Sequence, residues 1–167
     1  LEERIADRNL LWLVHQILKA GVMEEGEYHA SERGTPQGGV VSPLLANIYL
    51  HYVLDLWFEK VFKSERKGHV QLIRYCDDFV VCCESEDDAK EFLKLLEERL
   101  SKFGLNVSPE KTQLIKFGRN SWKRRKKTGE KLATFNFLGF THYSATSRSG
   151  YFMMGHKTTK ENLNRKP

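Results

Sequence analysis

The stretch Ile73-Arg74-Tyr75-Cys76-Asp77-Asp78-Phe79-Val80-Val81 sets two adjacent carboxylates between two apolar, strand-forming runs. Val70 to Arg74 and Phe79 to Cys83 are rich in Val, Ile and Phe, and the polar Cys76-Asp77-Asp78 between them suits a hairpin turn. This order predicts an antiparallel pair with Asp77 and Asp78 at its tip. Neighbouring carboxylates on a rigid turn repel each other, and a hard divalent cation with oxygen ligands, Mg²⁺ above all, relieves that repulsion. Asp also favours tight turns through local hydrogen bonds. Taken alone, the pair leaves metal binding and ordinary turn chemistry both open.

The rest of the composition narrows the classes. At 167 residues and 40% hydrophobic, the chain suffices for one domain with a core, or for one lobe of a larger protein. No apolar run approaches the ~20 residues of a membrane span. The N-terminus, starting at Leu1, lacks the charged-then-apolar order of a signal peptide, so a soluble, intracellular protein is expected. Cys76, Cys82 and Cys83 cluster around one hairpin with no zinc or disulfide spacing and read as reduced packing thiols. The six histidines are scattered, which weighs against transition-metal and His-based nucleophilic chemistry. The net charge of +5 is unevenly placed: Lys116 to Lys131 holds eight basic residues against Glu130, a local +7, leaving −2 for the remainder. Such a run is either a solvated loop or, with Trp122 inside it, a polyanion contact.

Taken in order, Asp7 caps a helix whose Leu10, Leu11, Leu13, Val14, Ile17 and Leu18 recur at three- and four-residue spacing, with one face expected inward and Gly21 as the stop. Val22-Met23 and Tyr28-His29-Ala30 flank a small hairpin turning at Gly26. Gly34-Thr35-Pro36-Gln37-Gly38-Gly39-Val40-Val41-Ser42-Pro43 is a glycine-rich loop, with Ser42 as the expected cap and Pro43 as the first residue of the next helix. That helix carries the stripe Leu45, Ile48, Tyr49, Tyr52, Val53, Leu56 and Trp57. A Gly-rich loop feeding a helix can be a capped core element or a cradle for phosphates. Ser85-Glu86-Asp87-Asp88 opens another helix, with stripe Ala89, Phe92, Leu93, Leu96, Leu100 and Phe103 and a stop at Gly104. Capping accounts for Asp87 and Asp88, so they stay outside the site. Strands are expected at Gln113 to Phe117 and over Ala133 to Phe140, with a turn from Ser144 to Gly150 before Tyr151 to Met154.

Four blocks stand in a fixed order: Gly34 to Gly39 running into Ser42-Pro43-Leu44-Leu45-Ala46-Asn47-Ile48-Tyr49-Leu50; Tyr75-Cys76-Asp77-Asp78; Leu105 through Glu110-Lys111-Thr112; and Phe137-Leu138-Gly139-Phe140. Together, from about Leu1 to about Tyr143, they closely resemble the palm of the reverse transcriptases encoded by group II introns and of their bacterial relatives.

The resemblance implies an α+β polymerase palm, an antiparallel sheet backed by helices, with fingers and thumb absent or incomplete. Residues 1–155 are expected to form the palm and 156–167 a polar tail leading toward a thumb. It further implies RNA-directed DNA polymerisation in which Asp77 and Asp78 hold two Mg²⁺ ions that clamp the entering and leaving oxygens of nucleotidyl transfer. By the same match, Pro36, Gln37, Gly38 and Lys111 border the incoming nucleotide and template, and Phe137, Leu138, Gly139 and Phe140 grip the primer. The implied partners are an RNA template, intron RNA, a DNA primer and deoxynucleoside triphosphates, in a cytoplasmic bacterial ribonucleoprotein. Cys76 replaces the family's usual Ala, a small change. The family's third metal carboxylate is expected upstream of Leu1, so the isolated chain is expected not to polymerise. The competing expectation is an RNA-binding splicing maturase in which Lys123, Arg124, Arg125, Lys126 and Lys127 contact intron RNA. A third is the same chemistry in a bacterial defence or diversification retroelement.

Overall fold

The computed structural model describes residues 2–19, 22–24, 27–29 and 41–164. The chain forms two compact units, Leu1–His51 and Tyr52–Pro167.

In the first unit, helix α1 spans Arg8–Lys19. Asp7 caps it as the sequence predicts, its Oδ1 accepting from the Asn9 and Leu10 amides at 2.8 and 3.2 Å. The expected inward face is only partly formed: Leu11, Val14 and Ile17 are half-buried, whereas Leu10, Leu13 and Leu18 are exposed. Strands β1, Val22–Glu24, and β2, Glu27–His29, make the expected small hairpin, with Met23 opposite Tyr28. The predicted stop at Gly21 and turn at Gly26 lie outside the described residues. Helix α2, Ser42–Leu50, begins one residue earlier than expected. Val41 is its cap, because its carbonyl already accepts the Leu45 amide at 3.0 Å, and Ser42 is helical with Pro43 in the first turn.

The helical chain that follows α2 is not regular α. His51–Asp55 and Phe58–Phe62 are π-helical and Lys63–Glu65 is 3-10. The sequence stripe through Tyr52, Leu56 and Trp57 assumed 3.6 residues per turn. Val53, also of the expected stripe, is fully buried and Trp57 packs against the core, whereas Tyr52 is exposed and the burial extends to Leu54, Phe58 and Phe62, which lie outside the stripe. Val53 and Phe58 are five apart, and the wider π turn keeps both facing the core. Arg99 donates to the Val53 carbonyl at 3.0 Å, supplying a side-chain partner for backbone in this irregular stretch.

Strands β3, Val70–Tyr75, and β4, Asp78–Cys83, pair antiparallel, with Tyr75 opposite Asp78. Helix α3, Glu86–Ser101, follows, and Ser85 caps it by accepting from the Asp87 and Asp88 amides. The core of the unit lies between α3, the π-helical chain and one face of the hairpin: Phe58, Phe62, Phe92, Leu96 and Leu100 with Val53, Leu54 and Val70, flanked by Leu72, Phe79, Val81 and Cys83. Phe62 and Phe92 meet edge to face at 5.0 Å between ring centres. Arg66 lies over the Phe62 ring at 4.7 Å and donates to Glu91 of α3 at 3.1 Å. At the C-terminus of α3, Gly104 adopts φ +69 and the Leu105 amide reaches back to the Leu100 carbonyl at 3.0 Å, the expected stop.

Residues Gln113 to Phe117 are not a strand, contrary to expectation. Their run gains no ladder partner among the described residues, and Phe117 is engaged through its ring, edge-on to Phe135 at 5.1 Å. The Lys116 to Lys131 segment is likewise not a loop. It contains helix α4, Arg119–Thr128, closed by Gly129 at φ +70, whose amide donates to the Arg125 carbonyl at 2.8 Å.

Strands β5, Thr134–Phe137, β6, Phe140–Thr146, and β7, Phe152–Thr158, form an antiparallel sheet in sequence order. The expected turn from Ser144 begins only at Ser147, since Ser144, Ala145 and Thr146 pair with Met154, Met153 and Phe152. Strand β7 runs through His156 to Thr158, and helix α5, Lys160–Asn164, follows. The architecture is α+β with antiparallel pairing throughout, as expected. The palm sheet, however, is divided into β1-β2, β3-β4 and β5-β6-β7, which share no ladder hydrogen bonds among the described residues. No helix among the described residues is long and apolar enough to cross a membrane.

Candidate active site

The β3-β4 hairpin has a two-residue turn, Cys76-Asp77, between the paired residues Tyr75 and Asp78. Cys76 adopts φ +54 whereas Asp77 does not have a positive φ, the sign pattern of a type II′ turn. Glycine is the ordinary residue at that first position, so a cysteine there carries backbone strain. Strand alternation turns Val70, Leu72 and Arg74 toward the core with Cys83, Val81 and Phe79 opposite. Ile73, Tyr75 and Asp78 lie on the outer, exposed face.

Asp77 and Asp78 are both exposed, and among the described residues neither carboxylate has a hydrogen bond or ion pair. The other acidic pair behaves differently. Asp87 and Asp88 sit in the capped first turn of α3, and Asp88 is 3.6 Å from the Arg66 guanidinium. Their place in the first turn of α3, with Asp88 also beside Arg66, gives those two acids a structural role, whereas the hairpin pair has none of this kind among the described residues. Two adjacent carboxylates are the hard oxygen donors that a divalent cation such as Mg²⁺ selects, so the donor chemistry fits a metal. Among the described residues no group of three or more His, Cys, Asp or Glu side chains could hold a metal ion.

Sequence reasoning assigned no role to Arg74 or Asp55. Arg74 Nε and Nη2 donate to Asp55 Oδ1 and Oδ2 at 2.7 and 2.6 Å, a two-pronged pair. The same guanidinium donates through Nη1 to the Cys76 carbonyl at 2.7 Å. The Arg74 side chain is 12% exposed and that of Asp55 is 27%. Hydrogen bonding to Asp55 raises the Arg74 pKa above its ordinary value, and burial opposes it. A signal was present: Arg74 interrupts the core-facing alternation Val70, Leu72, and Asp55 is the one acid amid Val53, Leu54, Leu56 and Trp57. Charged residues at such positions call for each other.

The other predicted residues lie on other segments of the chain. Pro36, Gln37 and Gly38 lie outside the described residues. Lys111 is exposed in a turn where its amide and that of Thr112 donate to the Ser108 carbonyl at 3.2 and 3.0 Å. Phe137 and Phe140 are paired across the β5-β6 turn, whose residues Leu138 and Gly139 take φ +50 and +78, the type I′ pattern. The Thr159 amide donates to the Gly139 carbonyl at 3.0 Å, tying the turn to the residue that precedes α5. In α4, Arg119, Lys123, Arg124, Arg125 and Lys127 are exposed, and Lys126 belongs to the same helix. Trp122 is not part of that charged surface. It is buried against β6 and β7, donating from Nε1 to Thr146 Oγ1 at 3.0 Å and lying edge-on to Phe152 at 6.1 Å.

Residues 2–142 match the family model of reverse transcriptase (RNA-dependent DNA polymerase), a span that includes the β3-β4 turn and the β5-β6 turn. The chain belongs to the reverse transcriptase family. The group II intron-encoded protein LtrA of Lactococcus lactis subsp. cremoris is 34% identical over 127 residues, covering 70% of this chain and 21% of that protein. An uncharacterized 91 kDa protein in the cob intron of Schizosaccharomyces pombe is 29% identical over 167 residues, covering 68% and 20%. The telomerase reverse transcriptase of Takifugu rubripes is 30% identical over 105 residues, covering 62% and 9%. The chain thus spans about a fifth or less of the length of these relatives. The matches to intron proteins bear out the resemblance to group II intron reverse transcriptases. Reverse transcriptases as a family use divalent metal ions.

Proposed function

We propose that the full-length protein is an RNA-directed DNA polymerase of the group II intron-encoded kind, and that Asp77 and Asp78 hold its Mg²⁺ ions. The observation that carries this reading is the pair of exposed, unpartnered carboxylates on a tight turn, inside the span that matches the reverse transcriptase family. Bound metal would supply Lewis-acid stabilisation of the charge that develops on the transferring phosphate. The chain's own part is to hold two oxygen donors on a rigid turn, with Asp77 as the principal ligand and Asp78 as the second. A further carboxylate would come from outside the described residues.

In this reading Lys111 faces the triphosphate, Pro36, Gln37 and Gly38 border the nucleotide and template, and the Phe137 to Phe140 turn grips the primer. The substrates are an RNA template, a DNA primer and deoxynucleoside triphosphates. Residues 1–155 are the palm portion, and the product-bearing ribonucleoprotein is cytoplasmic. The cations of α4, Lys123, Arg124, Arg125, Lys126 and Lys127, contact intron RNA through its phosphates, which gives binding a steep salt dependence. Primer extension on an RNA template tests the reading in the full-length protein: Asp77→Ala should abolish it, and equal extension by the two proteins would sink it.

A further inference from the structure

We propose that Arg74, locked by Asp55, is the positioning residue that presets the Cys76-Asp77 turn, so that Asp77 and Asp78 are aimed before any cation binds. This rests on the metal-site reading above, and it concerns two residues that touch neither metal nor substrate.

The turn needs outside support. Cys76 is held at φ +54, a conformation an L-residue other than glycine or asparagine rarely adopts, so the turn sequence alone does not favour the geometry observed. Arg74 Nη1 supplies support by donating to the Cys76 carbonyl at 2.7 Å. That donor is itself fixed, because Nε and Nη2 of the same planar group are held by both oxygens of Asp55 at 2.7 and 2.6 Å. Asp55 closes the π-helical stretch whose preceding residues Val53 and Leu54 are each 1% exposed in the core. The core therefore anchors Asp55, Asp55 orients Arg74, and Arg74 pins the carbonyl adjoining Asp77. A lysine would supply the charge without the rigid three-way fork. A π-helical turn beside the hairpin fits this use, since such irregularities recur at functional sites.

The test uses the full-length protein and Tb³⁺ as a probe for the divalent ion. Tyr75, 63% exposed and directly across the ladder from Asp78, is placed to sensitise its emission, and Asp77→Ala defines the emission belonging to this site. Arg74→Ala and Arg74→Lys are expected to weaken Asp77-dependent Tb³⁺ binding by about tenfold or more, the scale of residues that orient metal ligands. In primer extension, Arg74→Lys is expected to lower kcat by roughly 100-fold with the KM for primer-template unchanged. Arg74→Met combined with Asp55→Leu separates positioning from folding, because replacing a buried ion pair by apolar residues restores stability. The double variant is expected to unfold at the wild-type temperature and still bind Tb³⁺ weakly. Wild-type Tb³⁺ affinity in Arg74→Lys or in the double variant overturns the proposal, as does absence of Asp77-dependent emission in the unaltered protein. Equal primer extension with and without Asp77→Ala removes only the polymerase reading, and the Tb³⁺ titration still decides the role of Arg74.

Discussion

Replacing Trp122 by alanine should release α4 from the sheet that carries it. Trp122 is 8% exposed and is the anchor of the helix, through the 3.0 Å hydrogen bond to Thr146 and the edge-on contact with Phe152. Truncating a buried tryptophan costs about 3–5 kcal/mol. The helix has little of its own to set against that loss. Its ten residues fall short of the ~12–15 that an isolated helix needs. It carries Arg119, Lys123, Arg124, Arg125, Lys126 and Lys127 with no acid, and like charges such as Arg119 and Lys123 at four-residue spacing repel. At about 1.4 kcal/mol per tenfold, amide hydrogen-exchange protection over residues 119–128 should fall by roughly two to three and a half decades. Strands β3 and β4 should be unaffected. Trp122→Phe keeps the ring and loses the indole donor, about 1 kcal/mol, so protection should drop by less than a decade. Unchanged protection of 119–128 in Trp122→Ala would refute the claim that this side chain docks the helix.

Other consequences can be checked independently. Asp77→Ala should lower primer extension by roughly three orders of magnitude or more, the scale of several kcal/mol lost from a metal site, whereas Asp87→Ala should leave it intact because Asp87 lies in the first turn of α3, its amide capped by Ser85. Gly155→Ala should destabilise the β6-β7 pair by about 1–3 kcal/mol, measured by denaturant unfolding, since a Cβ there would lie 2.5 Å from Cζ of the Tyr143 ring. Burial, reinforced by the Asp88 charge, pushes the Cys83 thiol up to about 11 from an ordinary 9.0. The folded state thus favours the protonated thiol: its contribution to stability is full below pH about 9 and is lost as pH rises through about 11. Unfolding free energy measured from pH 8 to 11.5 should fall over that window, and Cys83→Ala should flatten the decline.

Several features were legible because they depend on neighbours in the chain. Asp7 and Ser85 as caps, the Asp77-Asp78 tip and Gly104 as a stop are local chemistry, settled within a few residues. The misreadings arose where a distant partner decides. Gln113 to Phe117 has a strand's composition but no ladder neighbour among the described residues, and Lys116 to Lys131 has a loop's polarity although Trp122 finds a sheet to pack on. The helix after Leu50 departs from the 3.6 period because Val53 and Phe58 must both reach Phe62, Phe92 and Leu96. That register follows from the shape of the core, which no local pattern encodes.

The sequence by itself determined the family and the presence of two adjacent carboxylates at the hairpin turn, because ordered blocks and neighbouring residues are properties of the chain. Only the tertiary structure decided what holds that tip. Arg74 and Asp55 are 19 residues apart, and their meeting depends on a widened helix delivering a carboxylate beneath β3. A hydrogen bond to a turn carbonyl leaves no pattern in the sequence beyond a charge at a position where the alternation called for an apolar side chain.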